Sequence, residues 1–121
     1  MSCFEFRSYG FYRGNRSIGN FTSGYIEAES ADAALKRLDT IICYDDCDWG
    51  IYLRKTDHVI DETKQNPIYT RYPGCQITGD FANSYGEAPA WVFQAPKMWE
   101  QEGFISDRLI LRGNNVSRPR I

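Results

Sequence analysis

The stretch from Tyr25 to Tyr44 reads Tyr-Ile-Glu-Ala-Glu-Ser-Ala-Asp-Ala-Ala-Leu-Lys-Arg-Leu-Asp-Thr-Ile-Ile-Cys-Tyr, and it constrains the fold more than any other. It is a short strand that turns directly into an amphipathic helix. Ser30 stands where an N-cap belongs, its hydroxyl able to accept from an unpaired N–H of the first turn. Asp32 follows in that turn, where negative charge complements the helix dipole. Ala31, Ala34, Leu35, Leu38, Ile41 and Ile42 recur at helical spacing and form one apolar stripe, with Asp32, Lys36, Arg37 and Asp39 outside it. A helix of this kind needs an apolar sheet to cover its stripe.

The flanking sequence supplies that sheet. From Cys3 to Arg13, Phe4 and Phe6 fall on one side of a strand, and Glu5, Arg7, Tyr9 and Phe11 on the other. Aromatics on both sides leave two roles open: a central strand, or one that presents Tyr9 and Phe11 to a partner. Bends at Gly14-Asn15, Gly19-Asn20 and Ser23-Gly24 return the chain, so Phe21–Ala28 pairs antiparallel with the first strand. After the helix comes an acidic loop, Asp45-Asp46-Cys47-Asp48, and then a third strand in which Trp49, Ile51 and Leu53 share a face. The order strand, strand, helix, strand predicts an α+β fold, an antiparallel or mixed sheet with one principal helix on a face.

Beyond Thr56 the signals are shorter. A brief strand is expected at His58–Ile60, another at Ile68–Tyr72 before a Pro73-Gly74 turn, and a pairing of Gln76–Phe81 with Ala90–Phe93. Pro96 suits the first turn of a second short helix through Met98, Trp99 and Glu102, ended by Gly103. Leu109–Arg112 reads as the last strand. The length suits one domain, expected over 1–113, followed by a mobile polar tail over 114–121.

Charge is unevenly spread. Between Glu27 and Glu62 stand ten acids and four bases, a net −6 in a chain whose overall charge is −2. Such a segment suits a partner with a basic surface, although solvated surface charge explains it equally well. A pI near 5.4 argues against direct nucleic-acid binding. The chain shows no apolar run of membrane-helix length and no basic-then-apolar leader, so a cytoplasmic location is the expectation. Cys3, Cys43, Cys47 and Cys75 lack the close pairs of a zinc site; reduced thiols are expected, with Cys43–Cys47 as the one pair near enough for a redox switch.

No catalytic constellation emerges. His58 is the single histidine and has no nucleophile motif beside it. The Asp45-Asp46-Asp48 loop lacks the spacing of an EF-hand, and no glycine-rich turn precedes a helix as a phosphate loop requires. No metal or cofactor is therefore expected. Two binding groups remain. Glu27, Glu29, Asp45, Asp46, Asp48 and Trp49 form a candidate acidic face for a protein partner, in which an aromatic anchor supplies affinity and the acids steer association. Tyr9, Phe11, Tyr12, Arg13 and Trp91 form a candidate stacking group for a nucleotide, with arginines on its phosphates.

The run Gly79-Asp80-Phe81, Gly86-Glu87, Trp91, Pro96 and Trp99 resembles a Gly-Asp…Gly-Glu…Pro…aromatic pattern of small phage-encoded accessory proteins. The strand-to-helix turn from Ile26 to Ala34 also resembles small proteins of phages and mobile elements. The resemblance implies an anti-defence type of protein and brings no catalytic residue with it. Three functions follow as expectations. The first is a non-catalytic inhibitor that covers the basic surface of a larger protein, as an anti-CRISPR does. The second is an oligomeric nucleotide-sequestering protein, and the third a small enzyme built on His58 or Asp80.

Overall fold

The computed structural model describes residues 1–12, 18–42, 47–65, 72–81, 97–105, 110–112 and 115–117. Strands β1 (Ser2–Tyr12) and β2 (Ile18–Ala28) form the expected hairpin and lead into helix α1 (Ala31–Ile42). Strand β3 (Cys47–Thr56), a 3-10 turn (Glu62–Lys64), β4 (Cys75–Phe81), a short helix α2 over 97–101, β5 (Ile110–Arg112) and β6 (Asn115–Ser117) follow. Among the described residues the sheet runs β4-β2-β1-β3-β5-β6, and every neighbouring pair is antiparallel. This is the α+β fold expected from the sequence.

Helix α1 begins as its sequence dictates. The Ser30 hydroxyl accepts from Ala33 N at 3.2 Å, and Ser30 O accepts from Ala34 N. Its stripe of Ala34, Leu35, Leu38 and Ile42 is buried against Phe4, Phe6, Ile26, Ile51, Leu53, Cys75 and Ile77, with Ala31 and Ile41 at the margin. Each of the Leu, Ile and Phe side chains contributes about 1.5–3 kcal/mol by leaving water. The register explains which sheet residues meet the helix, because Phe6 lies opposite Gly24 on β2 and Leu53 on β3, so all three share a face. One helical residue departs from expectation: Asp39, placed outside the stripe by its charge, is only 7% exposed. It sits one residue past Leu38 and four past Leu35, where the helix turns its flank to the sheet. Arg37 is half-buried for a different reason; its guanidinium donates to Glu27 O and Pro73 O and so ties α1 to the end of β2.

The other side of the sheet carries a second core. Tyr52, Trp99 and Phe104 are buried there with Tyr9 packed beside them. Segment 97–105 crosses this side and closes with a two-way backbone bridge between Ile105 and Leu53. Of the two roles open for β1, the central one is seen, since it lies between β2 and β3, and its Tyr9 ring stacks 6.2 Å from Tyr52 and lies tilted 6.1 Å from Trp99. Gly50, opposite Tyr9 on β3, leaves room for that ring, since a Cβ there would come within 2.9 Å of it. The Phe104 ring lies between two cations, 4.5 Å from the Arg7 guanidinium carbon and 4.4 Å from that of Arg54. Glu5 pairs with Arg54 at 2.7 Å and Glu102 with Arg7 at 2.9 Å, so both arginines are neutralised where they stack.

Several short segments differ from the sequence reading. His58–Ile60 is not a strand; it belongs to a loop held by side chains, described below. Strand β4 pairs with β2, and its expected partner Ala90–Phe93 lies outside the described residues, as does Ile68–Arg71. The Pro73-Gly74 turn is present, with Tyr72 bridged to Cys75 and Gly74 at φ 67°, a left-handed conformation that glycine adopts without a Cβ clash. Cys47 and Asp48 are not loop residues but the start of β3. The sheet also continues into the supposed tail, because β6 pairs Asn115–Ser117 with β5; the backbone hydrogen bonds of a ladder do not require apolar side chains. Among the described residues, no helix is long and apolar enough to cross a membrane.

Candidate functional site

One end of the sheet is defined by the start of β1 and the ends of β2 and β3, since Cys3 lies opposite both Glu27 and Thr56. The chain leaves β3 here and runs as a loop, 57–65, toward the edge strand β4. Side chains fix this loop. The His58 ring stacks on Tyr25 with centroids 3.7 Å apart, and its Nε2 lies 3.2 Å from Gln76 Oε1. The same buried oxygen accepts from Asp61 N, which requires His58 to donate to it. Gln65 Oε1 accepts from Ile77 N at 2.6 Å and Glu62 Oε1 from Gly74 N at 2.7 Å. Gln65 and Glu62 thus occupy backbone donors of β4 and of the turn before it, a covering that blunts a sheet edge. Asp61 caps the 3-10 turn by accepting from Thr63 N and Oγ1.

Two adjoining hollows flank this loop. The first, about 510 Å³, is bordered by Met1, Cys3, Glu27, Lys55, Asp57 and Val59 among others. The second, about 640 Å³, is bordered by Glu27, Val59, Ile60, Asp61, Glu62 and Gly74 among others. Glu27 and Val59 line both. Val59 is 84% exposed and stands as an apolar ridge between carboxylates.

The hydrogen bonds from Thr63 hold the Asp61 carboxyl below its ordinary value, so it stays ionised. Burial, and secondarily the Glu27 charge, push the Cys3 thiol up. Burial likewise pushes Cys75 up to about 11, with Arg37 opposing and Glu62 reinforcing the shift. A nucleophilic cysteine needs the opposite, a thiolate favoured by nearby positive charge. Cys3 and His58 border the same hollow, and burial there favours the protonated thiol.

The sequence-derived sites are only partly brought together. Glu27 is half-buried at this end, and Glu29 is exposed just beyond β2. Asp48 and Trp49 begin β3 at the opposite end, where Asp48 lies opposite Phe11. Eight residues of β1 separate the two registers, about 27 Å at roughly 3.4 Å per residue. Glu27 and Asp48 therefore do not share one face-end, and the single acidic face read from the sequence divides. Asp45 and Asp46 lie outside the described residues. Of the stacking group, Tyr9 is taken up by the second core, where burial and then Tyr52 raise its hydroxyl well above the usual tyrosine range. Phe11 and Tyr12 belong to β1, but their side chains, like Arg13 and Trp91, lie outside what is described.

Sequence reasoning missed Asp57, Val59, Asp61, Glu62 and the two glutamines as a group. The Asp61-x-Thr63 pattern is a recognisable turn signal. Nothing in the sequence indicated that Gln65 and Gln76 would hold the loop on the sheet. Comparison with protein-family models, curated proteins and solved structures finds no match.

Proposed function

We propose that the chain is a non-catalytic binding protein that covers a basic surface of a larger protein. The observation that carries this reading is the gathering of Glu27, Asp57, Asp61 and Glu62 around the exposed Val59 at one end of the sheet. Carboxylates draw a basic partner in and set orientation, while an apolar contact slows its departure. In the form suggested by the phage-like motifs, the partner is a host defence effector in the cytoplasm, and the basic surface is its nucleic-acid channel. The nucleotide-stacking alternative meets a Tyr9 ring already packed against Tyr52 and Trp99.

The test is affinity capture from cell lysate by the wild-type chain and by Glu27→Gln/Asp57→Asn/Val59→Ser. The expected outcome is a stoichiometric protein retained by the wild type and lost by the variant. Capture of no stoichiometric protein, or equal capture by both chains, refutes the reading.

A further inference from the structure

We infer that loop 57–65 is a latch that opens as one unit while the sheet stays folded, with Gln76 as its catch. No residue of the loop is buried, and it gives no side chain to either core. What fastens it is polar. His58 Nε2 and Asp61 N both donate to Gln76 Oε1, at 3.2 and 3.3 Å, on a side chain only 4% exposed. Gln65 and Glu62 reach the other way and accept from Ile77 N and Gly74 N. Such hydrogen bonds contribute little net free energy each, and a segment with few buried apolar contacts opens before the domain unfolds.

These contacts are linked through the 3-10 turn. Asp61 caps it, Lys64 N donates to Asp61 O, and Gln65 N donates to Glu62 O. Withdrawing Asp61 from Gln76 therefore draws Glu62 and Gln65 off β4 and the turn before it. The Ile77 amide reports this opening, because its acceptor is the loop side chain Gln65 and not β2. The consequence for a partner rests on the protein-binding reading above. Only the closed loop holds Asp57, Val59 and Asp61 beside Glu27, so apparent affinity falls with the closed fraction.

The experiment is native-state amide hydrogen exchange on the full chain, in urea below the unfolding transition, for the wild type, Gln76→Met and Gln65→Met. Methionine keeps the reach of glutamine and removes the amide oxygen. In the wild type, Asp61 and Ile77 are expected to exchange together, faster than β1 and almost independently of urea, while the β1 amides follow global unfolding. Gln76→Met should speed Ile77 roughly tenfold to a hundredfold, although that amide bonds to Gln65, and Gln65→Met should do the same to Asp61. Independent contacts would move only the amide whose own acceptor is lost, and that result overturns the latch. Exchange of Asp61 and Ile77 with the urea dependence of β1 overturns it equally. If the latch fails while a protein is still captured, this inference falls and the binding reading stands. If the latch is seen and no protein is captured, the binding reading falls and the latch stands.

Discussion

Replacing Phe104 tests whether segment 97–105 belongs to the fold or merely rests on it. The ring is 3% exposed and is held between the guanidinium groups of Arg7 and Arg54. Truncation to alanine removes the buried ring and leaves a cavity, for which about 3–5 kcal/mol is the usual cost. Phe104→Leu keeps most of the apolar burial and removes the ring's attraction for two cations, each worth about 0.5–1 kcal/mol at partly exposed sites. A loss of about 1–2 kcal/mol is therefore expected for leucine. The arginines keep their carboxylate partners Glu5 and Glu102 in either variant, so no charge is stranded. Urea unfolding followed by tryptophan fluorescence reads both losses. A cycle with Arg54→Met should return a coupling of about 0.5–1 kcal/mol to Phe104. A loss below about 1 kcal/mol for Phe104→Ala, well under the cavity range, would mean that the segment does not cover the sheet.

The remaining predictions concern the other packed groups. Leu38→Ala should cost about 2–5 kcal/mol in the same assay, since Leu38 is fully buried; a loss below about 0.5 would mean the stripe faces elsewhere. Gly50→Val should lower the thermal midpoint by pushing the Tyr9 ring out of its place; an unchanged midpoint would contradict the close approach seen there. The Asp61 carboxyl is depressed in the folded chain, so its contribution is present above the ordinary 3.8 and fades as pH falls through the folded value. The stability gap between wild type and Asp61→Ala should accordingly narrow as the solution is acidified below 3.8, and a widening gap would reverse the assignment. Cys75 is raised, so its contribution is full below 9.0 and lost as pH rises toward about 11; relative to Cys75→Ala, the wild type should lose stability across that window.

Much of the fold was legible because it follows from periodicity. The stripe of α1, the alternation of β1 and the Ile51/Leu53 face of β3 all fix which side is inward, and short connections leave few ways to assemble them. The second core was harder to read. Trp99 and Phe104 come from a short helix and its exit, and their docking depends on Gly50 and on two arginines distant in sequence. The binding end was less legible still. Glu27 was singled out for its charge, but Asp57, Val59, Asp61 and Glu62 join it through Gln65 and Gln76, whose hydrogen bonds have no sequence period. Asp48 was misplaced for a related reason. Closeness in the chain suggested a shared acidic face, whereas β2 and β3 run in the same direction on either side of β1, which separates the end of one from the start of the other.

The most direct test of the binding claim is the association rate of the captured protein, measured by stopped flow from about 50 to 500 mM salt. Steering by Glu27, Asp57, Asp61 and Glu62 predicts a rate that falls by about ten- to a hundredfold across that range, and a flatter slope for Glu27→Gln/Asp57→Asn. A rate independent of salt, or the same slope for wild type and variant, would contradict an acidic binding end.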